Sequence, residues 1–227
     1  KLALACGGEV IAFHTGFRTV ELTQKEGLTC IGGTAQMCDK SLLGSAFSSQ
    51  SILDARTVAE RLGMDFYVFD AVDAFKSAVV DNFISCYEQG LTPNPCVVCN
   101  RTMKFGLFLE KALALGYGGI ATGHYVRKEL LGERHVLRLA ACHAKDQTYM
   151  LCGLSQRQLA HSLFPLGEME DKEAVRSLAA EAGLHLSKKQ DSQDICFVPD
   201  GDYVRFLEAY TGKAYPSGEF VNTSGQV

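Results

Sequence analysis

The sequence predicts an α/β protein: a parallel sheet with helices on both faces, followed by the start of a β-rich module. Three observations predict it. Apolar strand-like runs alternate with segments of helical period, Gly and Pro punctuate the joints, and no internal repeat or low-complexity stretch breaks the alternation.

Element by element, Ser51-Ile-Leu-Asp54 has the spacing of a capping box, with Asp54 in place of the usual Glu. It opens a helix whose inner face is Ile52, Ala55, Ala59 and Leu62, ended by Gly63. DFYVFD (65–70) reads as a buried strand and 73–88 as a helix. After the GLTPNP break, a helix is expected from about Asn100, with Phe105, Phe108, Leu109 and Ala112 inward. GGIATGHY and HVLRLAA read as strands, and 171–182 as a helix turning Val175, Leu178, Ala179 and Ala182 inward. DICFV is the next expected strand, and GDYVRFLEAYTG a helix with Tyr203, Phe206, Leu207 and Tyr210 on one side. VNTSGQV reads as a first hairpin arm. The expected division is 1–200 for the α/β domain and 201–227 for a helix and the start of a β-rich module.

The chain has 227 residues, 47% hydrophobic and 21% charged, as in a soluble globular domain. No apolar stretch approaches the roughly 20 residues of a membrane helix, and no export signal opens the sequence. A cytoplasmic protein without membrane contact is expected. The net charge of −4 does not mark a general nucleic-acid binder, although basic pairs gather at Arg101 and Lys104, Arg127 and Lys128, and Lys188 and Lys189.

Nine cysteines without an export signal point to working thiols rather than structural bridges. Cys30, Cys142 and Cys152 lie in apolar surroundings and read as inert. Cys99, in TPNPCVVCNRTMKF, and Cys196, in QDSQDICFVPD, sit in polar segments and stand out. Cys96-Val-Val-Cys99 has no second CxxC to complete a structural zinc site, so no metal is expected there. A Cys99 placed just before a helix start would be favoured as thiolate, with Arg101 and Lys104 adding positive charge. Cys196 in a strand is by default a core thiol, but Lys188, Lys189, Asp191, Asp194 and Asp200 make its surroundings polar. Gly123 and His124 end a strand where α/β sheets bind ligands, although a histidine closing a strand also fits a plain hydrogen-bonding role.

TPNPCVVCNRTMKF, IATGHY, AKDQTYMLCGLSQ and DSQDICFVPDGDY occur in this order and spacing in the tRNA-specific 2-thiouridylase family (MnmA/TrmU). The resemblance runs from about Thr34 through Val227, with further matches in DARTVAERLG and TGKAYPSGEF. It implies a PP-loop ATP pyrophosphatase fold of the adenine-nucleotide hydrolase kind. It also implies a reaction in which ATP, with Mg2+, adenylates the 2-oxygen of a wobble uridine. A persulfide on Cys196 then delivers sulfur to C2, with Cys99 as the partner nucleophile that forms a disulfide with Cys196. By the same resemblance Asn94, Pro95 and Cys96 border the target base, and Lys145, Asp146 and Gln147 contact tRNA. Gly7, Gly8, Met37 and Gly123 contact ATP. The implied partners are tRNA and a persulfide donor or sulfur-carrier protein.

The family's opening signature, SGGVDSS, is replaced here by ACGGEVIAFHTG. Cys6-Gly7-Gly8 keeps paired glycines, but Glu9 would repel phosphate, and Val10, Ile11 and Phe13 are bulky for a loop that cradles one. Either the loop is replaced or this region is not a phosphate loop at all, and on the first reading weakened ATP binding is expected. The family's last barrel has no counterpart in the sequence, so weak tRNA holding is expected too. Two rivals follow: a homologue that binds RNA or a sulfur carrier without ATP-driven catalysis, and a small-molecule sulfurtransferase or redox protein. Nucleotide binding separates the first, and activity on persulfides without tRNA the second.

Overall fold

The computed structural model describes the backbone of residues 9–13, 29–39, 42, 50–184 and 195–226, with all side chains there but those of 9–13, 29, 30 and 51. β1 (Glu9–Phe13) pairs in parallel with β2 (Thr29–Gln36) on one side and β4 (Gly119–Thr122) on the other. β3 (Phe66–Asp70) extends the sheet beyond β2, and β7 (Ser162–Leu163) beyond β4. The order β3-β2-β1-β4-β7 is parallel throughout. Chain connections leave β1 toward β2 and return across to β4, so a switch-point crevice opens at the carboxyl ends of β1 and β4.

β1 overturns the expectation that Glu9 to Phe13 belong to a phosphate loop. These residues form the central strand, in register Val10 to Gly119 and Phe13 to Thr122. The β-branched and aromatic residues unsuited to a loop suit a strand paired on both sides.

α1 (Gln50–Arg61) packs on β2 and β3. Ser51 lies inside this helix rather than capping it, while Gly63, at φ 66, makes the left-handed exit that the sequence predicts. β3 is a strand but not a buried one: it is a sheet edge, and Tyr67 and Val68 are exposed. The helix expected over 73–88 forms as α2 (72–88), with a π-helical stretch at Lys76–Val80.

α3 (95–114) begins at Pro95, five residues before the expected Asn100. Asn94 caps it, its Oδ1 accepting from Val97 N at 3.1 Å, and Pro95 fits the first helical position because it has no N–H to satisfy. A π-helical run, Asn100–Phe108, interrupts the α-helix, and Phe105, Phe108, Leu109 and Ala112 form its inner face as predicted. They join Ile31, Ile120, Val126 and Leu151 in one core cluster.

The HVLRLAA segment is not in the parallel sheet. β5 (Arg127–Leu131) and β6 (Arg134–Arg138) form a separate antiparallel hairpin. The short β7 approaches β4 closely: a Cβ on Gly119 would lie 2.3 Å from the His161 carbonyl oxygen. Only glycine allows that spacing.

α4 (Gln156–Ala160) carries a capping box from Ser155 to Gln158, and α5 (Lys172–Glu181) is capped by Asp171. Val175, Leu178 and Ala179 of α5 are half-buried. α6 (Tyr203–Thr211) starts at the Asp202 cap and ends at Gly212. Its Phe206 and Leu207 pack with Phe83 and Phe197 in a second core cluster, so this helix shares the core of the α/β domain. Residues 212–226 contain no strand; a turn there is closed by Asn222 N donating to Gln226 O.

Candidate active site

The segment Met37-Cys38-Asp39 leaves the carboxyl end of β2, and α3 brings Cys99 to it. Cys99 Sγ stands 3.8 Å from Met37 Sδ, and both pack in the cluster that holds Phe75, Phe83, Met103 and Phe197. Cys99 is 8% exposed. Burial pushes its thiol up to about 12, against a smaller downward pull from Lys104.

This differs from the expected thiolate at a helix start. Cys99 is the fifth residue of α3, past the amino-terminal turn whose unpaired N–H groups stabilise negative charge. Asn94, Pro95 and Cys96 occupy that turn instead, and Cys96 is exposed. Asn94 Nδ2 also donates to Tyr149 Oη at 3.2 Å, and Tyr149 is 65% exposed beside this turn.

Cys196 is in a turn, not a strand. Val198 N closes it by donating to Ile195 O at 2.9 Å. Phe197, 1% exposed, anchors the turn by edge-on contacts with Phe75 and Phe83, which leaves Cys196 at the surface. Isolated from a sheet ladder, the Cys196 sulfur is free to accept hydrogen bonds from the Cys196 and Phe197 backbone amides.

Cys38 completes the group and was not among the residues singled out in the sequence. Its thiol donates a hydrogen bond to Cys196, which is the largest cause lowering Cys196 from 9.0 to about 7; Lys104 also lowers it, while burial opposes both. The same hydrogen bond, then burial, drives Cys38 upward. Met37, Cys38, Cys99 and Cys196 therefore meet at the carboxyl end of β2, with the Lys104 cation acting on both Cys99 and Cys196. A low thiol stabilised by a neighbouring protonated thiol is the arrangement that makes one sulfur nucleophilic at neutral pH. No disulfide joins the described cysteines, and among the described residues no three His, Cys, Asp or Glu are grouped to hold a metal ion.

Gly123 follows β4 at the switch point. His124 has the plain role: it is buried, with Nδ1 2.8 Å from Thr122 Oγ1 and its ring near Phe105. Gly123 adds no side chain to the crevice, and Met37 brings a half-buried thioether to its β2 side. Gly7 and Gly8 lie outside the described residues, as do Lys188, Lys189, Asp191 and Asp194.

Of the three residues expected to touch tRNA, two turn their side chains inward. Asp146 accepts from Ala140 N at 2.8 Å and Thr148 N at 3.1 Å, and Gln147 Oε1 accepts from Tyr125 N at 3.0 Å. They hold the 143–151 loops against the hairpin and the end of β4, while Lys145 is exposed. Cys142 is half-buried and Cys152 is exposed, so neither sits in the apolar surroundings expected of it.

A parallel sheet with sulfur residues gathered at the carboxyl end of its strands defines an α/β protein. The family model described as "tRNA methyl transferase HUP domain" matches residues 19–200. The chain is 46% identical over 206 residues to the tRNA-specific 2-thiouridylase MnmA of Treponema denticola, covering 88% of this chain and 56% of that protein. It is 46% identical over 208 residues to the enzyme of that name from Trichlorobacter lovleyi, covering 91% and 57%. With that of Magnetococcus marinus it shares 45% over 231 residues, covering 99% and 63%. The chain belongs to the tRNA-specific 2-thiouridylase family. It spans less than two thirds of the length of these curated relatives.

Proposed function

We propose that this chain carries the thiolation centre of a tRNA-uridine 2-sulfurtransferase, with Cys196 as the sulfur carrier and Cys99 as the second working thiol. The observation that carries this reading is that the Cys196 turn packs, through Ile195 and Phe197, on the same core cluster as Cys99 and Cys38, with its thiol lowered to about 7 by the hydrogen bond from Cys38 and by Lys104. Its thiolate takes a sulfane sulfur from a donor persulfide, and the resulting terminal sulfur attacks C2 of the wobble uridine. Lys104 favours the negative charge on the attacking sulfur.

ATP with Mg2+, when bound, supplies the adenylyl group that turns the uridine 2-oxygen into a leaving group. Met37 and Gly123 border its adenosine in this reading. The amino-terminal turn of α3, with Asn94, Pro95, Cys96 and the exposed Tyr149, borders the unstacked base, and Lys145 approaches the tRNA backbone. The other named partner is a persulfide donor or sulfur-carrier protein. Reduced thiols of this kind need a reducing compartment, which supports a cytoplasmic setting.

ATP–pyrophosphate exchange, measured with and without tRNA, tests the activation half. Exchange stimulated by tRNA is expected. Exchange absent in both conditions would remove ATP-driven chemistry from this chain and leave RNA or sulfur-carrier binding.

A further inference from the structure

Gln158, on α4, reaches across to α3 with a side chain that takes no part in the sulfur chemistry. Its Nε2 donates to two carbonyl oxygens of that helix, Phe105 O at 2.8 Å and Arg101 O at 3.0 Å. Its Oε1 accepts from Ser155 N at 2.9 Å, the return half of the capping box that starts α4. Both ends of one half-buried amide are thus engaged.

The two carbonyls lie in the π-helical run Asn100–Phe108. A π-turn bonds i to i−5, and the return to the i−4 ladder skips one carbonyl in the last turn of the run, where Phe105 stands. A skipped carbonyl in a buried helix costs free energy unless another donor finds it. Phe105 is fully buried, and Gln158 supplies that donor. The run also marks a change of neighbours. Cys99 and Met103 pack with Phe75, Phe83 and Phe197, while from Phe105 onward the helix packs with Ile31, Ile120 and Leu151. One inserted residue turns the two halves of a helix by about 100° relative to each other. The π register therefore lets Cys99 face Met37 Sδ at 3.8 Å while Phe105, Phe108 and Leu109 face the other cluster.

We propose that Gln158 is a positioning residue for the thiol site: its amide holds the π-helical register of α3, and that register sets where Cys99 and the Asn94 turn face. The functional weight of this rests on Cys99 being a working thiol and on the Asn94 turn bordering the base. Without the amide donors, Phe105 O loses its partner, the run relaxes toward an α-helix, and Cys99 turns away from Met37. Gly106 serves the same register: a Cβ there would lie 3.0 Å from Arg101 O, crowding one of the two carbonyls that Gln158 reaches.

Two variants separate this role from the capping of α4. Gln158→Glu keeps an oxygen for Ser155 N and removes the donors to α3, whereas Ser155→Ala removes the cap oxygen and leaves those donors in place. Amide exchange by peptide mass spectrometry and iodoacetamide labelling of each cysteine at neutral pH are read on the full chain, with neither tRNA nor ATP. In Gln158→Glu, exchange should rise across 95–108 and stay unchanged at 156–160. Its Cys99 should label on the order of tenfold faster, the scale of losing one hydrogen bond from local closure. Ser155→Ala should show the reverse, with faster exchange at 156–160 and Cys99 labelled at the unmodified rate. In tRNA thiolation, Gln158→Glu should lower kcat more than it raises the KM for tRNA, and Ser155→Ala should leave kcat in place. Should Gln158→Glu fail to fold, Gln158→Met removes the same donors without adding charge and is read in the same way. Unchanged Cys99 labelling, or an equal rise at every buried thiol, would overturn the proposal. An unmodified chain that thiolates no tRNA would sink the functional reading alone, and exchange and labelling would still decide the register.

Discussion

The 3.8 Å contact between Cys99 Sγ and Met37 Sδ docks the first turns of α3 on the segment leaving β2. Two soft, polarizable sulfurs fill that gap, and the contact explains why Cys99 is kept from water. The amino-terminal part of α3 and the Cys196 turn pack on the same core cluster, through Val98 and Cys99 on one side and Ile195 and Phe197 on the other.

The thiols should titrate in a definite order. Cys196 is lowered to about 7 from an ordinary 9.0, so its thiolate fraction rises as pH passes through about 7, and its alkylation by iodoacetamide should follow that midpoint. The lowered value also means that Cys196 adds stability above the unfolded thiol's 9.0, and that this is lost as pH falls through about 7. Cys99, pushed up to about 12, should resist alkylation at neutral pH in the folded chain. In Cys38→Ser the Cys196 midpoint should move upward. A midpoint unchanged by that substitution would show that the hydrogen bond from Cys38 does not set Cys196.

Phe197 holds the turn that presents Cys196. It is 1% exposed and touches Phe75, Phe83 and Phe206, so Phe197→Ala should cost about 3–5 kcal/mol of stability. Phe197→Leu, which retains most of the buried volume, should cost less than half as much. Denaturant melts of the two variants measure the difference. Equal, small losses would mean that the aromatic cluster does not anchor the turn.

Asn94 does two jobs with one side chain, capping α3 and bonding Tyr149. Asn94→Ala should lose about 1 kcal/mol, and Asn94→Ser, which keeps a capping oxygen, should recover most of it. Both variants lose the amide that reaches Tyr149, so both should weaken tRNA binding if this turn borders the target base. Full tRNA affinity in Asn94→Ser would detach the turn from recognition.

The alternation of strands and helices made the α/β class and the inner face of α3 legible, because Phe105, Phe108, Leu109 and Ala112 repeat at helical spacing. Three things were not. The strand Glu9–Phe13 looked like a damaged phosphate loop because it follows paired glycines, and only its pairing with β2 and β4 identifies it. Cys196 sits in an apolar run whose aromatic and β-branched residues suggest a strand, but they serve to plug a turn into a core. The backbone N–H groups that the Asp146 carboxylate and the Gln147 amide satisfy, on Ala140 and Tyr125, are not readable from the sequence. Cys38 carried one local signal, its place beside Met37 at the end of a strand. Its packing against the cluster of Cys99 and Phe197, remote in sequence, depends on tertiary structure alone.

The central claim is that Cys196 delivers sulfur to RNA. Its most direct measurement loads the chain with radiolabelled persulfide sulfur, adds a tRNA with an unmodified wobble uridine, and compares reactions with and without Mg2+ and ATP. Digested nucleosides are then counted for label. The account predicts label in 2-thiouridine only when ATP is present, and none from Cys196→Ser. Label that stays on the protein in the presence of ATP and tRNA, or 2-thiouridine formed equally by Cys196→Ser, would contradict it.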